Sequence, residues 1–237
     1  MPIIFRALIF FHGFIYGIGS QFLILPFSSK ELSIGSHPTL FEHDPVNPSL
    51  YHAVEDRPSI SFNQGTWFGD VGLTQAGYNF EKNNVITHFG FKYSGITDLE
   101  FRNDSPSDSP LSYFSSFGLS FDAGKAFIRG NQRYGISISY VHFGIFTYES
   151  RGLGLNFGYS RDFLNKTKVG IVIQNVGKMS EFQTEDILLP QRILLGYSKE
   201  FKFNQIKNSV YTSLEQNSLI SSAKIHLGNH FNWTRFN

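Results

Sequence analysis

Between Gly152 and Ser160 the chain alternates strictly. Leu153, Leu155, Phe157 and Tyr159 fall on one face of an extended strand, and Gly154, Asn156, Gly158 and Ser160 fall on the other. A period of two belongs to a strand, not a helix. The polar face carries glycine, serine and asparagine, where a solvated sheet would show charges and threonines. That choice suits a crowded or water-filled interior. The apolar face carries no charge, which suits lipid, where a mid-depth Arg or Lys costs roughly 2–4 kcal/mol.

The same alternation recurs along most of the chain. Strands are expected over residues 59–63, 69–80, 85–93, 114–122, 133–143, 153–161, 168–175, 192–201, 210–215 and 222–231, with a weaker candidate at 95–103. In the fifth of these, Tyr134, Ile136, Ile138 and Tyr140 oppose Gly135, Ser137 and Ser139. Several reach the roughly 9–11 residues that a tilted membrane strand needs. Turn signals separate them at Lys82-Asn83-Asn84, Gly130-Asn131, Asn165-Lys166 and Asn204. Residues 104–110 read as a polar loop, and 177–190 as a longer connection. No helical period appears between strands, so alternating strand–helix architecture is not expected.

The first 58 residues follow other rules. Arg6 precedes an apolar run from Ala7 to Ile18, and Gly17, Gly19 and Ser20 follow with small side chains. This reads as a secretory signal peptide over 1–20, cut near Gly19 to Gln21. Residues 21–58 hold Pro26, Pro38, Pro45, Pro48 and Pro58 with little alternation. Ser28 to Leu32 can open a short helix, and Pro-rich turns dominate beyond it. The segment is expected to precede the barrel as a hatch or plug folded into its lumen, with residues 59–237 forming the barrel. The expected fold is therefore all-β, an antiparallel transmembrane β-barrel of about ten strands with an N-terminal hatch.

Composition narrows the function classes. The chain has 237 residues and a net charge of +1, so no broad field draws nucleic acid. Charged residues make up 16% against a usual value of about 25%, and 26 Phe and 11 Tyr give an aromatic surplus that fits two interfacial girdles. The mean hydropathy of −0.15 is too low for a helical membrane protein. The absence of cysteine removes disulfides, thiolate metal sites, a cysteine nucleophile and a lipoprotein anchor.

No phosphate loop, nucleophile elbow or zinc-protease motif occurs, so no catalytic residue, cofactor or metal site is assigned. His37, His43 and His52 lie near Glu42, Asp44, Glu55 and Asp56, but their spacing is irregular and fits solvated or lumen-facing side chains better than a metal site. His88, His142, His226 and His230 read as wall or rim residues. Glu181, Glu185 and Asp186 mark a charged loop.

Four motifs together resemble the PorV/PorQ group of outer-membrane proteins, relatives of FadL-type barrels. Phe22 to Gly35 is similar to the family's opening segment. Asp44 to Leu50 resembles its Asn-Pro motif, with Ser49 in place of the usual Ala. Val169 to Gly177 resembles the strand ending Asn-Leu-Gly, and Leu189 to Gly196 the Leu-Pro motif that follows it. His37 and Pro38 depart from a region normally rich in Gly and Ala. The resemblance implies a FadL-like barrel of fourteen strands, so the chain is expected to be shortened at its C-terminal end. It implies a hatch built on Gly35, Asp44, Asn47 and Pro48. It also implies residence in the bacterial outer membrane, no enzymatic activity, and attachment of secretion-system components or exported proteins (type IX secretion). Residues 104–112 and 178–190 are the candidate docking loops. A second expectation is FadL-like passive transport of hydrophobic small molecules, with a lumen pocket of Phe22, Leu23, Leu25, Phe27 and Leu40. The third is a secreted soluble β-sandwich, whose alternation looks alike.

Overall fold

A computed structural model describes residues 19–35, 39–42, 45–53, 57–103, 108–182 and 184–233. The expected signal peptide lies almost wholly outside the described residues, as do His37, Pro38, His43, Asp44, Glu55 and Asp56.

The alternating segments form one antiparallel sheet. Its strands are β1 (Ser59–Trp67), β2 (Val71–Lys82), β3 (Val85–Phe101), β4 (Ser112–Arg129), β5 (Gln132–Ile145), β6 (Tyr148–Phe163) and β7 (Thr167–Met179). A two-stranded ribbon follows, β8 (Glu181–Phe182) with β9 (Glu185–Asp186), and then β10 (Arg192–Phe203), β11 (Ile206–Asn217) and β12 (Ile220–Trp233). The main sheet has ten strands in the order β1-β2-β3-β4-β5-β6-β7-β10-β11-β12. No pairing joins β1 to β12 among the described residues.

Strand existence follows the sequence, and strand length exceeds it. The separate candidate at 95–103 is the second half of β3. The pairing of β3 with β4 shifts between Ile96 and Leu99, where Asp98 takes a positive φ of 58°. A bulge interrupts the alternation there without ending the strand. β4 likewise continues to Arg129, beyond the last clear alternation at Asp122. The turn residues act as read: Asn83, Asn84, Gly130, Asn165, Lys166 and Asn204 all have positive φ. Asn and Gly tolerate that region, which the tightest hairpins require. The longer connections, 102–111 and 180–191, emerge at one end of the sheet, and these tight turns occupy the other.

The two faces of the sheet differ sharply. On β5, Gly135, Ser137, Ser139 and Val141 are buried, while Tyr134, Ile136, Ile138 and Tyr140 are exposed. The cross-strand row Ile136–Phe157–Ile173–Ile193 carries the exposed apolar face over four strands. The buried face is covered by the described residues of 19–35, 39–42 and 45–53. Ser29–Ser33 form a single helical turn, α1; its N-cap Ser28 accepts from the Glu31 amide at 3.1 Å, and the Glu31 carboxylate accepts from the Phe27 amide at 3.1 Å. This is a variant of the capping box.

The sheet must curl around that segment. The Lys92 ammonium of β3 lies over the Phe27 ring at 5.5 Å. Glu31, four residues on, lines the same cavity as Arg192 of β10. β3 and β10 stand five steps apart in strand order, roughly 24 Å across a flat sheet at the usual strand spacing. One helical turn reaches both only if the covered face is concave.

Candidate functional site

The site is the interface between this concave face and residues 19–53, and small residues make it. Seven consecutive strands each offer one where the segment crosses. Ile34 sits on Gly228 of β12, Thr39 on Gly196 of β10, and Leu40 on Gly170 of β7. Asn47 sits on Gly158 of β6, Pro48 and Ser49 on Gly135 of β5, and Tyr51 on Gly124 of β4. On β11 the small residue is Ser213, whose hydroxyl accepts from the Thr39 amide at 3.1 Å and pairs with the Thr39 hydroxyl at 2.8 Å. Register aligns the track: Gly135 opposes Gly158, and Gly170 opposes Gly196, which opposes Ser213. A Cβ at Gly135 or Gly228 would overlap the segment's own backbone.

Hydrogen bonds fix the segment at its Asn-Pro motif. Asn47 is fully buried; its amide donates to the Tyr159 carbonyl at 3.3 Å, and its side-chain oxygen accepts from the Ser49 amide at 3.0 Å and hydroxyl at 2.8 Å. The Ser49 and Ser160 hydroxyls are 3.0 Å apart. Ser49 thus has a partner that alanine would lack. Pro48 opens the single 3₁₀ turn Pro48–Leu50, where its missing N–H costs nothing. Gly35, at φ 89°, packs on the Leu227 backbone, and its carbonyl lies 3.2 Å from His226 Nδ1.

The expected pocket residues divide. Phe22, Leu23 and Phe27 pack with Val71, Leu73, Val141 and Leu189 in one core cluster, with Leu25 against it. This cluster lies beneath the long-loop end, where the Ser20 hydroxyl donates to the Leu188 carbonyl at 2.7 Å. Leu40 instead faces a cavity of about 520 Å³ at the tight-turn end, beside Lys166, Lys168 and Glu200. There Lys168 binds Glu42 at 2.7 Å and lies 3.5 Å from Asp162. Partial burial opposes the charge on Glu42, but the Lys168 ammonium holds its carboxyl below the usual carboxylate range.

A second cavity, about 450 Å³, lies between the segment and the concave face, lined by β1 to β3 and reaching across the sheet to Arg192 of β10. Leu23 and Leu25 reach it, but its polar lining includes Asn63, Gln75, Asp122, Asn156, Gln174 and Arg192. The polar groups are largely satisfied within the wall. Asn156 donates to the Ser137 and Ser139 hydroxyls at 3.0 Å each and accepts from the Asn175 amide at 2.8 Å. Ser139 also donates to Asp122. Arg192 donates to Gln174 at 2.7 Å and lies 3.6 Å from Glu215, which in turn meets His226 at 3.0 Å. Tyr51 stacks on His88 at 4.0 Å, and burial pushes its hydroxyl pKa up.

Arg192, Glu215 and Asp122 were not singled out from sequence, yet parity marks them. Arg192 shares its face with Leu194 and opposes Ile193, and Glu215 alternates with exposed Leu214. A charge at an inward position of a membrane-type strand is the available signal. Of the histidines, His52 is exposed, and His88 and His226 are wall residues. Among the described residues no three His, Asp or Glu side chains form a metal-binding group.

No family model matches the chain, and no curated protein matches it. Two solved structures of OmpT, an outer membrane protein of Vibrio cholerae, are similar to it. The in-vitro folded trimer form aligns over 87% of this chain and 73% of that one, at 9% identity and a TM-score of 0.48. A form lacking loop L8 aligns over 86% and 72%, at 10% identity and a TM-score of 0.47. At these values the likeness carries no argument about this chain, and the functional reading rests on its own geometry.

Proposed function

We propose that the chain is a non-enzymatic outer-membrane β-barrel protein of PorV/PorQ type that presents its long-loop rim to a secretion component or exported protein. The observation that carries this reading is the pairing of an exposed apolar face with a polar face occupied by the chain's own N-terminal segment. An apolar band across many tilted strands, interrupted by exposed Lys125 beside Ile136, meets hydrocarbon, and a filled interior leaves the rim as the working surface. Outer-membrane barrels carry short turns on the periplasmic side and longer loops outside. Connections 102–111 and 180–191 therefore face the exterior, with exposed Phe68, Leu111, Tyr113 and Leu188 at the same rim. Those apolar and aromatic side chains suit protein contact.

FadL-like uptake is the weaker reading, because Phe22, Leu23 and Phe27 pack into a core cluster and the cavity of about 450 Å³ is lined by polar groups such as Asn63, Gln75, Asp122, Asn156 and Arg192. Reconstitution separates the two. Vesicles carrying the purified protein are expected to show no fatty-acid entry above protein-free vesicles. Entry that saturates with fatty-acid concentration would replace docking with transport. Recovery of the native chain in a detergent-free soluble extract would sink both.

A further inference from the structure

The two ends of the sheet differ in charge, although the whole chain is only +1. At the tight-turn end, strand parity places Lys82 of β2, Lys125 and Arg129 of β4, Arg161 of β6 and Lys199 of β10 on the outward face. They share that face with exposed Tyr78, Phe127, Phe163 and Phe201. The carboxylates of these strands near the same turns face the other way: Glu81, Asp162 and Glu200 each alternate with one of the cations. Asp162 and Glu200 are taken by Lys168 and Lys166. Among the described residues, none of the five outward cations meets a carboxylate. At the long-loop end Arg102 and Arg151 are both paired, with Glu100 at 2.6 Å and Glu149 at 3.1 Å.

The outward cations also lean one way. The Arg161 guanidinium lies 5.0 Å from the Phe163 ring centre, and the Lys199 ammonium lies 5.5 Å from that of Phe201. In both pairs the ring is two residues nearer the tight turn, so the charge is directed away from mid-sheet. A cation beside hydrocarbon reaches an interface in this way, with its stem on apolar surface and its head in the polar layer. Lys125 stands four residues from the end of β4. That is roughly 13 Å along the strand and about 10 Å in depth at the usual tilt, and its stem spans much of that depth. The aromatic rings between the cations continue the hydrocarbon-facing band. The surface that meets both is one that supplies acyl chains and, a few ångströms further out, negative charge.

We infer that the tight-turn end is a collar for anionic phospholipid, whose headgroups lie against these five cations. The inference rests on the membrane reading above. A Lys or Arg near an anionic surface raises affinity about fivefold.

Native mass spectrometry tests it. The full-length protein is exchanged into micelles holding equal amounts of phosphatidylglycerol and phosphatidylcholine with the same acyl chains, and the lipids retained are counted. Both lipids carry a phosphate, so a preference reports net headgroup charge. Retained phosphatidylglycerol should outnumber phosphatidylcholine about fivefold. A chain carrying Lys82→Gln, Lys125→Gln, Arg129→Gln, Arg161→Gln and Lys199→Gln together should retain the two equally. A chain carrying Arg102→Gln, Arg151→Gln and Lys178→Gln should keep the preference. Raising the ammonium acetate concentration should erode the preference of the natural chain, an arm that needs no variant. Equal retention by the natural chain would overturn the inference, as would a preference that survives high salt or all five substitutions. Either result leaves the membrane reading standing if the chain still pellets with outer membranes; recovery in soluble extract removes both.

Discussion

Gly135→Val is expected to expel the N-terminal segment from the sheet. The new side chain would overlap the Pro48 carbonyl carbon and the Ser49 amide nitrogen, and backbone cannot rotate aside as a side chain can. Overpacking of this kind costs typically 1–3 kcal/mol, and each buried hydrogen bond lost at Asn47 and Ser49 adds about 1 kcal/mol, giving a total of about 3–5 kcal/mol. Two measurements check it: the midpoint of urea unfolding in micelles, and the rate at which protease cuts within residues 45–53. The midpoint should fall and cutting should accelerate together. Gly65→Ala, where a Cβ meets open space, should change neither. Equal behaviour of the two variants would mean that the segment does not need the track.

Ile138→Arg should be nearly as damaging, for a different reason. Ile138 faces outward in the middle of β5, opposite Leu155 of β6 and Ala123 of β4. A guanidinium at the bilayer midplane costs about 2–4 kcal/mol, falling to about 0–1 kcal/mol near the interface. Leu164 lies at a tight turn and is almost fully exposed, so Leu164→Arg is the matched control. Folding into vesicles of defined lipid, followed by tryptophan fluorescence, should show a lower folded yield for Ile138→Arg alone. If the outer face met water, the arginine would cost nothing and would raise solubility.

Much of the fold is legible in strand parity. Gly154, Asn156, Gly158 and Ser160 announce a crowded face, and the structure places on it a segment that only small residues admit. The turn residues are legible because Asn and Gly at positive φ leave a compositional mark. The reach of β3 through Asp98 is not, because a bulge destroys local alternation while the long-range ladder survives. The ribbon of β8 and β9 is too short to show a period. The site itself is only half legible. Asn47 and Pro48 stand out as a turn motif, but their partners Gly135, Gly158 and Ser160 are chosen by the register of strands about a hundred residues away. Phe22 and Phe27 look equally suited to lining a pocket or filling a core; only the positions of Val71, Val141 and Leu189 decide for the core. Arg192 and Glu215 carry a parity signal that becomes readable once the outward face is assigned.

The account depends on which face of the sheet meets hydrocarbon, and β5 reports it residue by residue. Single cysteines from Tyr134 to Val141, spin-labelled in membranes, can be scored for collision with oxygen and with a water-soluble nickel chelate. Oxygen contact should peak at Tyr134, Ile136, Ile138 and Tyr140 and drop at Gly135, Ser137, Ser139 and Val141. Nickel contact stronger than oxygen contact at Ile136 and Ile138 would place that face in water and contradict the account.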